Sequence, residues 1–174
     1  MTRDDESRVF RASSQHSFQP DMNSTSVRQA VLADLEELAT LFDQYRRFQG
    51  QASDVAAARS FLCDRFDHGE SVLLICLDGA TAVGFAQLYP SFSSVSLSRV
   101  FVVNDLFVQE SGRRKGLASK LLSALESYAW SLGSARLTLN VARGNTSAQS
   151  LYEERGWKQD DQFFMYHRFP EDHS

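Results

Sequence analysis

The sequence predicts a mixed α/β fold (α+β mixed sheet) in one domain: a mostly antiparallel sheet with one parallel strand–helix–strand crossover and helices on its flanks. Three observations predict it. Apolar residues recur at spacings of three and four in separate segments, and short apolar or alternating runs bounded by turn residues lie between them. From Val100 to Val141 the order is strand, helix, strand, at about the length of one crossover unit. With 174 residues there is room for one core and its tails, not for two full-sized domains.

Met1 to Ser26 is polar and aperiodic and reads as a disordered tail, so the domain is expected to span 27–169, with 170–174 as a second short tail. A strand-like stretch runs from Val27 to Val31. Asp34, followed three residues later by Glu37, is placed as an N-cap with its capping-box partner, opening a helix through Leu35, Leu38, Leu41, Phe42, Tyr45 and Phe48 that stops at Gly50. Ser53-Asp54 opens a second helix, with Val55, Ala58, Leu62 and Phe66 as its stripe and Gly69 as its stop. Ser71 to Leu77 and Ala82 to Tyr89 flank the turn pair Asp78-Gly79 and read as a hairpin. Arg99 to Val108 is the next strand, broken by the polar pair Asn104-Asp105, which an apolar central strand does not accept without a reason. The Leu117–Leu132 segment is an amphipathic helix ending at Gly133, Arg136 to Val141 a strand, Ser147 to Arg155 a short helix closed by Gly156, and Phe163 to Phe169 a final strand.

Composition narrows the function classes. Apolar residues at 43% and charged residues at 23% exclude a disordered or rod-like chain. No apolar stretch approaches the roughly 20 residues of a membrane span, and the acidic start Met1-Thr2-Arg3-Asp4-Asp5-Glu6 lacks a signal-peptide core, so a cytoplasmic protein without a membrane partner is expected. Cys63 and Cys76 have neither disulfide-scaffold nor zinc spacing, so no metal is expected. A net charge of −4 disfavours nucleic acid and suits a cationic or amine-bearing partner.

Against that acidic background, Glu110 to Lys120 carries Arg113, Arg114, Lys115 and Lys120 against one acid. Gly112, Gly116 and Ala118 are small enough for a ligand to approach the backbone closely, and the helix that follows offers open N–H groups at the positive end of its dipole. That combination suits phosphate, although the Gly-Lys-Ser/Thr of a Walker loop is absent. The pattern R-x-x-G-x-A, standing as Arg113, Gly116 and Ala118 after Asn104-Asp105-Leu106-Phe107-Val108, resembles the GNAT superfamily of acyl-CoA-dependent N-acetyltransferases. Downstream, Asn145-x-x-Ala148-x-x-Leu151-Tyr152-Glu153-x-x-Gly156-Trp157 is similar to that family's second motif. Leu88 to Ser94 and Asn104 to Val108 look closest to its polyamine and histone acetyltransferase subgroup.

The resemblance implies a GNAT-like fold over about Val27 to Phe169, acetyl-CoA as co-substrate, an amine acceptor and a homodimer. It implies that Arg113, Arg114, Lys115, Gly116, Leu117 and Ala118 wrap the pyrophosphate of coenzyme A, and that the strand backbone, Leu106, Phe107 and Val108, pairs with the pantetheine arm; the thioester carbonyl needs polarising as well, which the N–H groups around Phe107 and Val108 can supply. Asn145 serves the cofactor's amide groups, the start of the short helix, or both. Tyr152 resembles the family's acid for the departing thiolate, a role that a phenol with pKa of about 10 can fill at neutral pH. An alkylamine with pKa of about 10.4 costs roughly 4 to 5 kcal/mol to deprotonate at pH 7, so a base is wanted; Asp105 is the first candidate and Glu110 the second. Asn104 stands where some relatives of the subgroup carry a glutamate. Tyr45, Phe48, Tyr89 and Phe92 are candidates for an acceptor pocket or for core, and none of the four histidines stands as a base. The expected activity is direct acetyl transfer to a primary amine, of a small polyamine-like or amino-acid-like molecule or of a protein lysine. The alternative is a non-catalytic acyl-CoA-binding or protein-interaction module of the same fold.

Overall fold

In the computed structural model, which describes residues 25–170, five strands form one sheet in chain order. They are β1 (Thr25–Gln29), β2 (Val72–Asp78), β3 (Thr81–Ser93), β4 (Ser98–Val108) and β5 (Arg136–Leu139). Every neighbouring pair is antiparallel except β4 and β5, which the helix α3 (Leu117–Ser131) connects in parallel. Two helices, α1 (Leu35–Phe48) and α2 (Val55–His68), precede β2. Leu38, Leu41 and Phe42 of α1 and Ala58 and Leu62 of α2 bury one face of the sheet with Ile75, Phe85 and Phe107. Leu117, Leu121, Leu122, Leu125 and Ala129 of α3 bury the other with Leu74, Ala86, Leu88, Phe101 and Val103. The short helix α4 (Thr146–Glu154) rests on the edge of this second core through Leu151 and Tyr152.

Parity along β4 changes half-way. Phe101 and Val103 point into the α3 core, and an unbroken period of two would send Asp105 and Phe107 there as well. Phe107 instead belongs to the α1–α2 core, while Leu106 and Val108 pack with α3. The register explains the switch. Gln87 of β3 opposes Asp105 and Leu88 opposes Val103, which leaves Asn104 as one extra residue on β4, a β-bulge. Asn104 is exposed and Asp105 is 5% exposed, so the polar pair that interrupts the strand sequence marks this bulge. The parallel pairing with β5 stops at Val103 with Leu139, directly before it.

Several expectations change. Asp34 does not cap α1 with its side chain. It closes a single 3-10 turn, Leu32–Asp34, and its carboxylate reaches backwards, accepting from the Val31 N–H at 2.8 Å and from both Arg28 guanidinium nitrogens at 2.7 Å. A paired cation and a backbone donor on that side outcompete the open N–H groups of the next turn. The expected tail ends two residues earlier, because Thr25 and Ser26 pair with Asp78 and Leu77 in the sheet; the rest of that tail and 171–174 lie outside the described residues. Phe163–Phe169 is no strand. Its consecutive large side chains have no two-residue alternation to seat one face on a sheet, no ladder partner is present among the described residues, and Phe163, Phe164, Met165, Tyr166 and Phe169 stand at least 60% exposed.

The Arg28–Asp34 pair ties β1 to the entrance of α1, and it holds the Asp34 carboxyl below the ordinary carboxylate range. Asp34→Asn should cost about 1–2 kcal/mol in urea unfolding near neutral pH, at the low end for a charged hydrogen bond because Arg28 is half exposed. A depressed carboxyl stabilises fully above its unfolded pKa and loses that contribution as pH falls through the folded one, so the gap between wild type and variant should close in acid. A gap that stays constant down to the acid transition would show that Asp34 acts through packing.

Candidate active site

Past Val103 and Leu139 the two parallel strands separate, and the gap between them opens into a cleft of about 930 Å³. Asn104, Leu106 and Phe107 line it from β4, Leu139 to Ala142 from β5 and the turn after it, Asn145 and Tyr152 from α4, and Tyr45, Phe48 and Gln49 from the end of α1. The carboxyl ends of parallel strands are where α/β sheets leave room for ligands.

Backbone direction follows from one hydrogen bond. Gln109 N–H donates to Val83 O of β3, so by alternation Phe107 also turns its N–H towards β3, and Leu106 and Val108 turn theirs to the opened side. Of the two residues expected to polarise a ligand carbonyl, Val108 keeps an open backbone donor, whereas Phe107 spends its N–H towards β3 and contributes its ring to the wall and the α1–α2 core; Leu106, in the cleft wall, offers the donor in its place. The Val108 carbonyl accepts from Arg113 Nε at 3.2 Å, and the Arg113 guanidinium lies 5.3 Å from the Phe48 ring centre. This side chain spans from the loop to α1.

The loop delivers the N-terminus of α3. Asp54 caps α2 by accepting from Ala57 N–H, and Asn145 caps α4 by accepting from Ala148 N–H at 3.2 Å, but no side chain caps α3. Its first-turn N–H groups, Leu117 and Ala118 among them, are left for a ligand at the positive end of a 15-residue helix. Gly116 leads into that helix at φ +73°, and a Cβ added there would meet nothing within 4 Å. The two other small residues behave differently. Gly112 is buried, with an added Cβ meeting Val108 Cγ1 at 3.0 Å and Leu117 Cδ1 at 3.1 Å, so its smallness serves packing; Ala118 leans on the α3 core. Arg114 is exposed at φ +60°, and Lys115 sits 3.6 Å from Asp78 in an exposed ion pair. The Leu117 side chain is core.

Two titratable groups meet at the α1 wall. Burial raises the Asp105 carboxyl above the usual range, against the hydrogen bonds that favour its ionised form, of which Asn104 Nδ2 donates at 3.1 Å. The Tyr45 hydroxyl faces this carboxyl, and burial first, then the Asp105 charge, pushes Tyr45 up to about 12. Burial also raises Tyr152, whose ring lies 5.9 Å from that of Trp157, so both phenols hold their protons at neutral pH. Glu110 is exposed in the loop and does not line the cleft; the loop turns it outwards before α3 begins. Tyr89 and Phe92 stand outside the cleft wall as well, Phe92 on the protruding β3–β4 hairpin with the Arg99 guanidinium 5.0 Å from its ring centre. Gln49 and the Leu139–Ala142 turn were not singled out from sequence. The parallel crossover was the available signal, since it placed the end of its second strand beside that of the first.

An uncapped helix start and a split strand pair, joined by one glycine-bearing turn, are matched by kinship. The model of the acetyltransferase (GNAT) family matches residues 35–157. The chain belongs to that family. An uncharacterized N-acetyltransferase of Bacillus subtilis, YhfO, is 45% identical over 81% of this chain and 95% of its own length. The crystal structure of a probable acetyltransferase is 38% identical, with a TM-score of 0.80 over 84% of this chain and 99% of that one. An L-ornithine N5-acetyltransferase of Arabidopsis thaliana is 32% identical over 46% of this chain and 35% of its own. The protein is thus an acetyltransferase with a GNAT fold, its five-stranded sheet carrying one parallel pair.

Proposed function

We propose that this acetyltransferase moves an acetyl group directly from acetyl-CoA to the primary amine of a small amino-acid-like or polyamine-like molecule, close to the polyamine and histone acetyltransferase branch of the family. The uncapped N-terminus of α3 beside the open face of Gly116 carries the reading, because it leaves several backbone donors for a pyrophosphate at the end of the loop whose Arg113 reaches the cleft wall at Phe48. Arg113, Arg114 and Lys115 add positive charge there. The site residues fit the co-substrate: Leu106 in the cleft wall offers its N–H group to the amides and thioester oxygen, Val108 turns its own to the same side of β4, and Asn145 adds a carbonyl-bearing turn on the opposite wall.

Direct attack is favoured because no nucleophile lines the cleft. Cys63 and Cys76 are outside it, and burial raises both thiols. Asp105 takes the amine's proton, its raised carboxyl being a better acceptor than an ordinary one, and Tyr152 returns a proton to the departing sulfur. The acceptor class is supported by the Asp105 carboxyl behind the α1 wall and by the ornithine-directed relative. Both cysteines being free suits a reducing compartment, the cytoplasm. The exposed Phe163, Phe164 and Tyr166 support a homodimer in which a second copy covers them.

Gly116→Val meets no atom at its Cβ but puts a β-branched residue at φ +73°, so it should lose some thermal stability, and the variant that remains folded by circular dichroism should bind acetyl-CoA at least tenfold more weakly by calorimetry, about 1.4 kcal/mol. Unchanged affinity in the folded variant would sink the cofactor assignment. Tyr152→Phe should keep that affinity while kcat falls about 10²-fold in acetyl-CoA-dependent thiol release over a panel of amines. Turnover within about threefold of wild type, with chemistry rate-limiting, would make Tyr152 a packing residue. Light scattering should give twice 19.6 kDa at micromolar concentration, and the monomer mass would reject the dimer.

A further inference from the structure

Among the described residues three aspartates are buried, and two are fully accounted for. Asp34 has its arginine, and Asp43 accepts from Asp54 N–H at 2.6 Å and Ser53 Oγ at 2.8 Å. Asp105 has no cation among the described residues. It does not itself line the cleft; Tyr45 does, with its hydroxyl turned to the Asp105 carboxyl. The Tyr45 ring is clamped between Phe85 and Phe107, both 6.0 Å away centre to centre. Behind Asp105, directly opposite on β3, is Gln87, wholly buried. Gln87 Nε2 donates to Ser71 Oγ at 2.7 Å, while its Oε1 is buried without any donor. Directly opposed cross-strand residues bring their Cβ atoms within about 5 Å, so the two side chains are neighbours on one face of the sheet, with no hydrogen bond between them in the resting protein.

We propose that Tyr45, Asp105 and Gln87 form a proton-accepting line out of the cleft, in which Tyr45 is the catalytic residue that touches the acceptor's ammonium and Gln87 is the positioning residue that stabilises Asp105 in its acid form. It rests on the acetyltransferase reading above and adds the route. The ammonium N–H bond breaks as its proton passes to the Tyr45 oxygen, and the proton of Tyr45 passes to Asp105, leaving a neutral amine, a neutral phenol and a carboxylic acid. That acid donates to Gln87 Oε1, giving the orphaned acceptor the donor it lacks in the resting protein. Tyr45 is suited to relay and unsuited to holding a charge, since its own proton is held up to about 12. The other ionisable groups around Asp105 are Tyr89 of β3, which Arg65 of α2 contacts with Glu70 behind it, and Tyr152 of α4, across from Tyr45. None of them offers an ion pair to the carboxylate.

The carboxyl titration of Asp105, followed by ¹³C NMR in the full chain, tests the line without any acceptor. Gln87→Met, which removes the acceptor of the acid's proton, should lower the Asp105 pKa by about one unit, and Tyr45→Phe, which removes a donor to the carboxylate, should raise it. An Asp105 titration unmoved by both substitutions would overturn the proposal. With L-ornithine as the probe amine, Tyr45→Phe should lower kcat/KM at least tenfold at pH 7, and the deficit should shrink towards alkaline pH as neutral amine becomes abundant. A pH-independent deficit would mark Tyr45 as structural and overturn the relay. Acetyl-CoA affinity should be unchanged in both variants. If wild type binds no acetyl-CoA, the acetyl-CoA assignment fails instead, and the titration alone decides whether the three side chains are coupled.

Discussion

One extra residue in β4 governs the arrangement of this molecule. A strand alternates faces strictly, so the inserted Asn104 sends everything after it to the opposite side: Asp105 and Phe107 towards α1, Leu106 and Val108 towards α3. The same bend takes β4 away from β5 immediately after Val103. Were β4 regular over the same residues, Asp105 would be forced into the apolar core beneath α3, and Leu106 and Val108 would turn their N–H groups to β3 instead of to the opened side. The cleft, its open backbone donors and its buried carboxylate thus share a single geometric origin.

The start of α3 and the α1 wall of the cleft are built on opposite electrostatic principles. At the start of α3 the polar groups cannot titrate, being uncapped N–H groups and the helix dipole with exposed arginines beside them. Leaving a helix start uncapped forgoes roughly 1 kcal/mol that Asp54 and Asn145 supply to their own helices. At the α1 end the polar groups are ionisable and desolvated, Asp105 beside Tyr45 within a wall of phenylalanines. Fixed dipoles suit a permanently charged pyrophosphate, and a shifted carboxyl suits an amine that must change protonation state.

Much of this was legible along the chain. Helical spacing gave α1, α2 and α3, the Asp78-Gly79 turn gave the β2–β3 hairpin, and the crossover gave the parallel pair, because each is set by residues close in sequence. Gly116 was legible as a small residue before a helix, and the structure adds that its φ of +73° is a left-handed conformation that favours glycine. Asp34 stands at the N-cap position of α1 as read, but its carboxylate does not make the capping bond because Arg28 competes for it from the other side, and pattern alone does not rank two neighbours. Phe163–Phe169 was misassigned because strand character there rested on composition, whereas a strand exists only through its neighbours.

The sequence by itself determined the fold class, the glycine-bearing turn that leads into α3 and the presence of an anomalous polar pair in a central strand, all consequences of local periodicity and residue type. Only the tertiary structure decided what that pair does. Whether Asn104 was a bulge, which face Asp105 took, that Glu110 faced solvent and that Gln87 stood opposite Asp105 depended on cross-strand register, a relation between residues nearly twenty positions apart that no local pattern encodes.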